Sequence, residues 1–240
     1  MEIKNAIWEK RNLGVDCNEV EIGSDDTLIT LKNNISQFET EYTVVKVPVG
    51  MTDISYYLQS SGYVFMELIT TCFSRGKLPD ITPIQKRIVE SVSYDEMNEK
   101  DLDKLRYEIN QGMFQQDRIC LDPHFSQDQA NRRYVNWISD EIKRGSKIFK
   151  LVYKGNAEGF FTFEKNDNFL FRSSLGALYP SFDRSGFGIC LNYYIICEGI
   201  KNNAKKILTG FSSNNRGPSA MHFSLGLTLD KQYYVFVKHM

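Results

Sequence analysis

The segment SLGALYPSFDRSGFGICL, residues Ser174 to Leu191, decides the fold of this chain. It predicts an apolar strand that ends at Leu178, then a turn and an amphipathic helix opened by Gly186 and Gly188. The first N–H groups of a helix have no partner within the helix, and the helix dipole is positive at that end. We therefore expect a phosphate group to bind against the two glycines. An ordinary strand-to-helix loop is the alternative interpretation.

The composition limits the number of domains and the kinds of partner that the chain can have. The chain has 240 residues, 42% of them hydrophobic, which is enough for one large domain or two small ones with a buried core. Its formal net charge of -1 provides no basic field for nucleic acid or an anionic membrane. We expect neither as a partner, so any phosphate contact must be local.

The cysteines and the N-terminal residues suggest a compartment. The five cysteines are widely spaced and mostly lie in apolar runs, which is typical of free thiols in a reducing environment. The first 12 residues are charged and lack the apolar core of a signal peptide. We expect a cytoplasmic protein. No Cys/His cluster or acidic pair has metal-ligand spacing, so we expect no metal.

The first third of the chain alternates in the manner of strands and contains one helix. A shift to Gly and Pro between Arg75 and Pro83 predicts a crossover, with a domain boundary near Lys77 that divides residues 1–77 from 78–240. The predicted strands are 19–22, 27–31, 42–47 and 63–69, with a helix over 53–60.

The remainder predicts a mixed α/β sheet, in which a run of strands precedes alternating helices and strands. The predicted strands are 87–92, 148–153, 159–163, 169–178, 206–211 and 232–237, and the predicted helices are 94–111, 126–144, 188 onward and 219–225. A loop with many polar and charged side chains is predicted over 115–125.

The order strand, glycine turn, helix, strand, Asn215, short helix, Gly226 and aromatic strand resembles the GNAT superfamily of acyl-CoA-dependent N-acyltransferases. The superfamily's turn reads Arg/Gln-x-x-Gly-x-Gly/Ala, whereas Asp183 stands here at the basic position and Arg184 follows it. Within the superfamily, the chain most resembles the dTDP-fucosamine acetyltransferases. The supporting residues are Ile7-Trp8-Glu9, Leu13-Gly14-Val15, Arg118, Tyr134-x-x-Trp137-Ile138 and Tyr233-Tyr234.

The resemblance implies a GNAT catalytic domain over residues 78–240, preceded by a truncated copy of the same fold in residues 1–77. It implies an acetyl-CoA or other short acyl-CoA co-substrate, parted strands that receive its pantetheine arm, and an amide group from Asn215 on that arm. Asn215 could instead cap the following helix. The implied cofactor-binding residues are Leu178, Arg184, Ser185, Gly186, Phe187, Gly188 and Asn215.

The catalytic acid of the superfamily is commonly a tyrosine, and His222 stands at its position here. An imidazolium is a stronger acid than a phenol, so His222 could protonate the departing sulfur. The alternative is a half-buried helix histidine with no catalytic part.

For the acceptor, the resemblance points to the amine of a dTDP-linked amino sugar, with Arg118 on a phosphate and Tyr134 stacked on a base or sugar. A surface ion pair and a core aromatic are the alternatives. His124 is a candidate general base or a solvated loop residue. A peptide, amino acid or other small amine as acceptor and a non-catalytic acyl-CoA sensor remain open, as does a homodimer through the edge of the last strand.

Overall fold

One mixed β-sheet runs through the protein, with helices on both faces. The structure, a computed structural model, describes residues 1–167, 169–183 and 185–240, without the side chain of Asp167. The strands within these ranges are β1 Glu2–Asn5, β2 Cys17–Glu21, β3 Tyr42–Pro48, β4 Val64–Ser74, β5 Val92–Glu96, β6 Lys147–Tyr153, β7 Asn156–Asp167, β8 Leu170–Arg172, β9 Gly176–Leu178, β10 Lys206–Ser212 and β11 Thr228–His239.

The helices connect these strands. A short 3-10 turn, Pro180–Phe182, precedes the helix that the glycines open. The helices of the described residues are α1 Ile7–Leu13, α2 Leu28–Phe38, α3 Thr52–Ser60, α4 Pro83–Glu90, α5 Glu99–Asn110, α6 Arg118–Leu121, α7 Gln127–Lys143, α8 Gly188–Lys201 and α9 Arg216–Ser224.

The sheet contains an exchange of strands between residues 1–77, here called the first part of the chain, and residues 78–240, the second part. Its order is β1-β2-β3-β11-β4-β10-β8-β7-β6-β5, with β9 paired to β7. The last strand, β11, lies between β3 and β4, while β4 lies between β11 and β10. Each part therefore supplies a strand to the sheet of the other, and the domain boundary near Lys77 stays a prediction.

The first part repeats the connectivity of the second. In the first, β2 and β3 are parallel neighbours joined through α2, and α3 leads to β4. In the second, β8 and β10 are parallel neighbours joined through α8, and α9 leads to β11. This repeat agrees with the expected truncated copy of one fold.

Apolar clusters on both faces hold the helices to the sheet. Buried residues of α8, including Ile189 and Ile196, pack with Cys72 of β4 and Ile207 of β10. On α5 and α7, Leu105 and Ile138 belong to a separate cluster. The candidate site lies where the first of these clusters meets the sheet.

Two predicted strands are wrong, because the helix-capping residues beside them outweigh the short β-branched runs. The predicted strand 27–31 belongs to α2, whose first turn is capped by the Thr27 hydroxyl, which accepts from the Thr30 N–H. The predicted strand 87–92 falls mostly in α4, which opens with a Thr82–Gln85 capping box and Pro83.

Other boundaries shift with these corrections. The strand β5 occupies the start of the predicted helix 94–111, which begins instead at α5 behind the Asn98 cap. The loop predicted at 115–125 contains α6. The predicted strand 169–178 is broken into β8 and β9. The remaining predicted elements are confirmed, with ends that differ by a few residues.

The crossover after β4 depends on a glycine. Gly76 has a φ of 65°, and a Cβ built on it would lie 2.1 Å from the Ala204 carbonyl oxygen. The close approach holds the crossover against the loop before β10. Among the described residues, no helix combines the length and apolar character needed to cross a bilayer.

Candidate functional site

The parallel strands of the second part separate, and their separation defines the candidate site. The strand β8 pairs with β10 at Leu170, Phe171 and Arg172, and the Ser173 N–H still donates to the Leu208 carbonyl. Beyond this point β9 pairs with β7, while β10 continues beside β4. The pairing of the two parallel strands therefore ends here, and we call the unpaired region between β9 and the later residues of β10 the gap.

The backbone at the end of β9 is oriented into this gap. The Leu175 carbonyl accepts from the Thr162 N–H, and the Tyr179 N–H donates to the Glu158 carbonyl, both on the β7 side. Because such bonds alternate along an antiparallel strand, the N–H and C=O of Leu178 point away from β7. Leu178 can thus offer both groups to an extended amide-containing chain.

The N-terminus of α8 lies after this strand, and the Ser185 Oγ accepts from the Phe187 N–H there at 3.4 Å. The N-cap residue is Phe187, whose side chain makes no capping hydrogen bond. Gly186 has a φ of 84°, which favours glycine, and Gly186 and Ser185 are exposed. The first N–H groups of a 14-residue helix therefore face an open turn.

Aromatic packing fixes the turn in place. The Phe187 ring centroid lies 4.8 Å from that of Phe182 and 4.9 Å from that of Tyr153. A Cβ on Gly188 would have the Met221 Cγ as its nearest atom, at 3.9 Å, which is an ordinary contact. The turn is packed through the Phe187 ring and open at its glycines. Arg184, predicted to replace the family's basic residue, lies outside the described residues.

His222 lies on α9 and is 3% exposed. Its Nδ1 is 2.6 Å from the Pro218 carbonyl oxygen, and its Nε2 is 3.2 Å from the Thr209 hydroxyl on β10. Because a carbonyl oxygen can only accept, Nδ1 carries the proton, and Nε2 of the neutral ring accepts from Thr209. Burial lowers the pKa of His222, and the hydrogen bond to Pro218 opposes that shift. The resting imidazole is therefore neutral and suited to accept a proton at Nε2.

Asn215 lies at the start of α9 with its side chain exposed. It occupies the N-cap position, but its side chain makes no capping hydrogen bond. The alternative interpretation of Asn215 as a helix cap therefore lacks its hydrogen bond, and the amide remains available to a ligand.

The structure places Arg118 in a buried ion-pair network between the two parts of the chain. Its guanidinium lies 2.8 Å from Glu19, 3.7 Å from Glu9 and 3.9 Å from Glu67. These carboxylates raise its pKa against the effect of burial, which is the largest influence. A phosphate would have to compete with these three carboxylates, and the phosphate contact of Arg118 stays a prediction.

Tyr134 belongs to the core that α5 and α7 share. Its ring stacks on Phe114 with centroids 3.9 Å apart, and it is 6% exposed. Burial, followed by the charge of Asp117, raises its pKa well above the usual value. The ring already has a stacking partner, which supports the alternative of a core aromatic.

Two polar residues of the site were missed by the sequence analysis. Thr209 bonds Nε2 of His222, and the Asn192 side chain of α8 lies 3.2 Å from its Nδ1. Neither residue belongs to a motif. The sequence did offer a signal for Asn192, because it is a polar residue at a core-facing position of α8. His124, the candidate base, lies instead in a cluster with Asp122 and His239.

Comparisons with known proteins identify the fold. No protein-family model and no curated protein matches the sequence. Among solved structures, a GCN5-related N-acetyltransferase from Sphaerobacter thermophilus superposes with a TM-score of 0.63 at 10% identity, over 99% of this chain and 75% of that chain. A GCN5-related N-acetyltransferase from Kribbella flavida gives a TM-score of 0.54 at 10% identity, over 93% and 81%.

A third structure is the GCN5-related glucosamine N-acetyltransferase region of a fungal multi-domain GH3 β-N-acetylglucosaminidase. It superposes with a TM-score of 0.65 at 8% identity, over 93% of this chain and 30% of that chain. The chain therefore has the fold of the GCN5-related N-acetyltransferases, the GNAT fold, as the resemblance implied. The finer resemblance to dTDP-fucosamine acetyltransferases has no match among these proteins.

Proposed function

We propose that the protein is an acyl-CoA-dependent N-acyltransferase that moves an acetyl or other short acyl group to an amine. The observation that carries the proposal is the gap between β9 and β10 beside the uncapped N-terminus of α8. A gap with free backbone groups suits the amides of a pantetheine arm, and the helix N-terminus suits its diphosphate. The GNAT fold of the chain supports the same assignment.

Each residue of the site has a proposed part in holding the co-substrate. The N–H groups around Phe187 and Gly188 bind the diphosphate, with Ser185 and Gly186 shaping the turn and Arg184 adding a positive charge. The backbone of Leu178 and the amide of Asn215 bind the pantetheine arm. The bound acyl-CoA supplies a thioester, whose carbonyl carbon is open to attack by an amine.

We assign His222 the movement of the proton. Its Nε2 is unprotonated at rest and takes up the proton that the attacking amine must lose. The resulting imidazolium, held at Nδ1 by Pro218, returns that proton to the departing sulfur, with the Thr209 hydroxyl as the adjoining group. The exchange leaves an amide and a thiol, with no net change at the protein. Direct attack needs no cysteine, and burial raises the pKa of Cys190 on α8 to about 12.

For the acceptor we propose an amino sugar. One structural neighbour is named as a glucosamine N-acetyltransferase region, which supports a sugar amine. A dTDP link on that sugar is the narrower proposal, and it rests on the sequence blocks alone. Peptide, amino acid and other small amines are the competing acceptors.

Two measurements test the proposal. Calorimetry with acetyl-CoA should give saturable binding at one site per chain, since β2 and β3 pair along five residues and leave no matching gap. Release of free thiol should then be followed with glucosamine, a dTDP-linked amino sugar, a peptide and a polyamine. Binding without release of thiol in the presence of any of these amines would favour an acyl-CoA sensor. Hydrogen bonds at both ring nitrogens of His222 would also fit that function. No binding at all would overturn both functions.

A further inference from the structure

Two of the protein's three histidines share one carboxylate, away from the residues assigned to acyl transfer. The His124 Nδ1 lies 3.0 Å from one oxygen of Asp122, and the His239 Nε2 lies 2.7 Å from the other. The ligand atoms of the three side chains are all within 4.8 Å of one another. Asp122 and His124 follow α6, whereas His239 ends β11, so the cluster joins distant parts of the chain.

Aromatic packing holds one of the two imidazoles and leaves the other adjustable. The His239 ring is stacked between His124, at a centroid distance of 3.8 Å, and Tyr42, at 4.8 Å. Asp122 is 3% exposed, which fixes the shared carboxylate. The His124 side chain is 60% exposed, so its ring can turn toward an incoming ion.

We propose that Asp122, His124 and His239 form a binding site for a divalent transition-metal ion of the zinc class. Two imidazole nitrogens and one carboxylate oxygen are a donor set that such ions prefer over Mg²⁺ or Ca²⁺. A tetrahedral ion with bonds of about 2.0 to 2.1 Å needs donors about 3.3 Å apart. The His124 and His239 nitrogens now lie 3.0 and 2.7 Å from the Asp122 oxygens, so a turn of the exposed His124 ring and a small shift of the other donors would admit the ion. Solvent on the exposed side of His124 completes the fourth position.

Ion binding requires each imidazole to carry its proton on the ring nitrogen that faces away from the metal. Each imidazole now places a nitrogen against the carboxylate, and that nitrogen must present its lone pair to the metal. Its proton passes by solvent exchange to the other ring nitrogen, which leaves the lone pair of the first nitrogen free for the metal. Asp122 is suited to this role because its carboxylate is buried and each of its two oxygens already lies against an imidazole nitrogen.

A bound ion would link the end of β11 to another part of the chain. A bound ion would tie His239 to the segment between α6 and α7, on the strand that both halves of the sheet share. Stabilisation of the fold is therefore the expected effect, independent of acyl transfer.

The test uses the full chain, treated with EDTA and dialysed, and ZnCl₂ as the probe. Calorimetry should show saturation at a single ion per chain, and Zn²⁺ at about a hundred times its dissociation constant should raise Tm by about 5 °C or more. MgCl₂ should cause no shift. Co²⁺ should give the visible absorption bands of a tetrahedral site.

Variants identify the ligands. His124→Asn removes an exposed donor at little risk to the fold, and it should abolish the Zn²⁺-dependent rise in Tm. Cys120→Ser is the matched control, since Cys120 is a thiol on the neighbouring helix α6, and it should keep the full rise. An unchanged Tm with Zn²⁺ in the parent chain, an equal rise in His124→Asn, or loss of the rise in Cys120→Ser would each overturn the proposal.

Discussion

Replacement of Gly188 with Asp should weaken coenzyme A binding through charge alone. Gly188 is the first residue of α8, and a Cβ there has ordinary contact distances, with the Met221 Cγ nearest at 3.9 Å. Asn has nearly the same shape as Asp without the charge. Comparison of Gly188→Asp with Gly188→Asn therefore separates electrostatic repulsion from steric exclusion.

The expected magnitude follows from the position of the new carboxylate. Two unit charges about 5 Å apart interact by about 3 kcal/mol at an effective dielectric constant of about 20. Ser185 and Gly186 are exposed, so solvent screens part of this repulsion. We expect roughly half of it, about 1.5 kcal/mol, which is about a tenfold rise in the dissociation constant of the Asp variant over the Asn variant.

Calorimetry with coenzyme A and with S-acetylpantetheine, which lacks the diphosphate, measures the effect. The ratio between the variants should shrink in high salt with coenzyme A and stay near unity with the shorter ligand. An acidic residue in the first helical turn interacts favourably with the dipole, so Tm of the Asp variant should not fall below that of the Asn variant. Equal affinities of both variants for coenzyme A at low salt would refute binding of the diphosphate at α8.

The remaining predictions concern His222 and Gly76. His222→Phe should lower the steady-state rate of thiol release by about 10²-fold with little change in the calorimetric affinity for acyl-CoA, and an undiminished rate would exclude its proton role. Burial sets the pKa of His222 in the folded chain below its unfolded value of 6.5. The buried neutral ring therefore contributes stability above that pH, and this contribution is lost as the pH falls through the lowered pKa. Urea unfolding of His222→Gln should accordingly show a shallower loss of stability below about pH 6.5 than the parent chain shows. Gly76→Ala should cost more than about 2 kcal/mol in the same assay because of the positive φ and the clash with Ala204, and a loss below about 0.5 kcal/mol would contradict that contact.

Local signals predicted the part of the fold that the site depends on. The apolar strand, the glycine turn and α8 lie within one short stretch, and glycine together with helix periodicity marks such a turn without reference to the rest of the chain. The helix over 126–144 was equally local, since Ser126 and Gln129 form a capping box and its apolar residues recur at helical spacing. These elements were predictable because their stabilising contacts are close in sequence.

The gap itself was not predictable from the residues. The stretch from Phe169 to Leu178 has the pattern of one continuous strand, yet its first residues pair with β10 and its last residues pair only with β7. The break depends on which neighbour each residue meets, which is a property of the assembled sheet.

Long-range pairing also explains the other differences. A surface ion pair was the alternative to a phosphate contact for Arg118, but its partners Glu19 and Glu67 come from distant parts of the chain. The contact between Asp122 and His239 is also long-range, because the two residues are 117 positions apart in the sequence and no motif joins them. Polar residues that meet only through the sheet carry no local signature.

The exchange of strands gives the first part of the chain a structural role in the site of the second. The strand β4 pairs with β10 from Ile207 to Ser212, so residues 64–74 support the side of the gap that carries Thr209. In return, β11 completes the sheet of the first part beside β3.

The first part has itself lost the features of a cofactor site. The ladder of β2 and β3 stays closed through Glu21 and Lys46, and Thr27 caps α2 where α8 has no side-chain cap. The Asp26 carboxylate accepts from the Gly23 N–H at the same turn, so a side chain of the protein already occupies a backbone donor there. Because β4 supports the gap from one side, the first part must remain folded for the second to bind a ligand, although it offers no gap of its own.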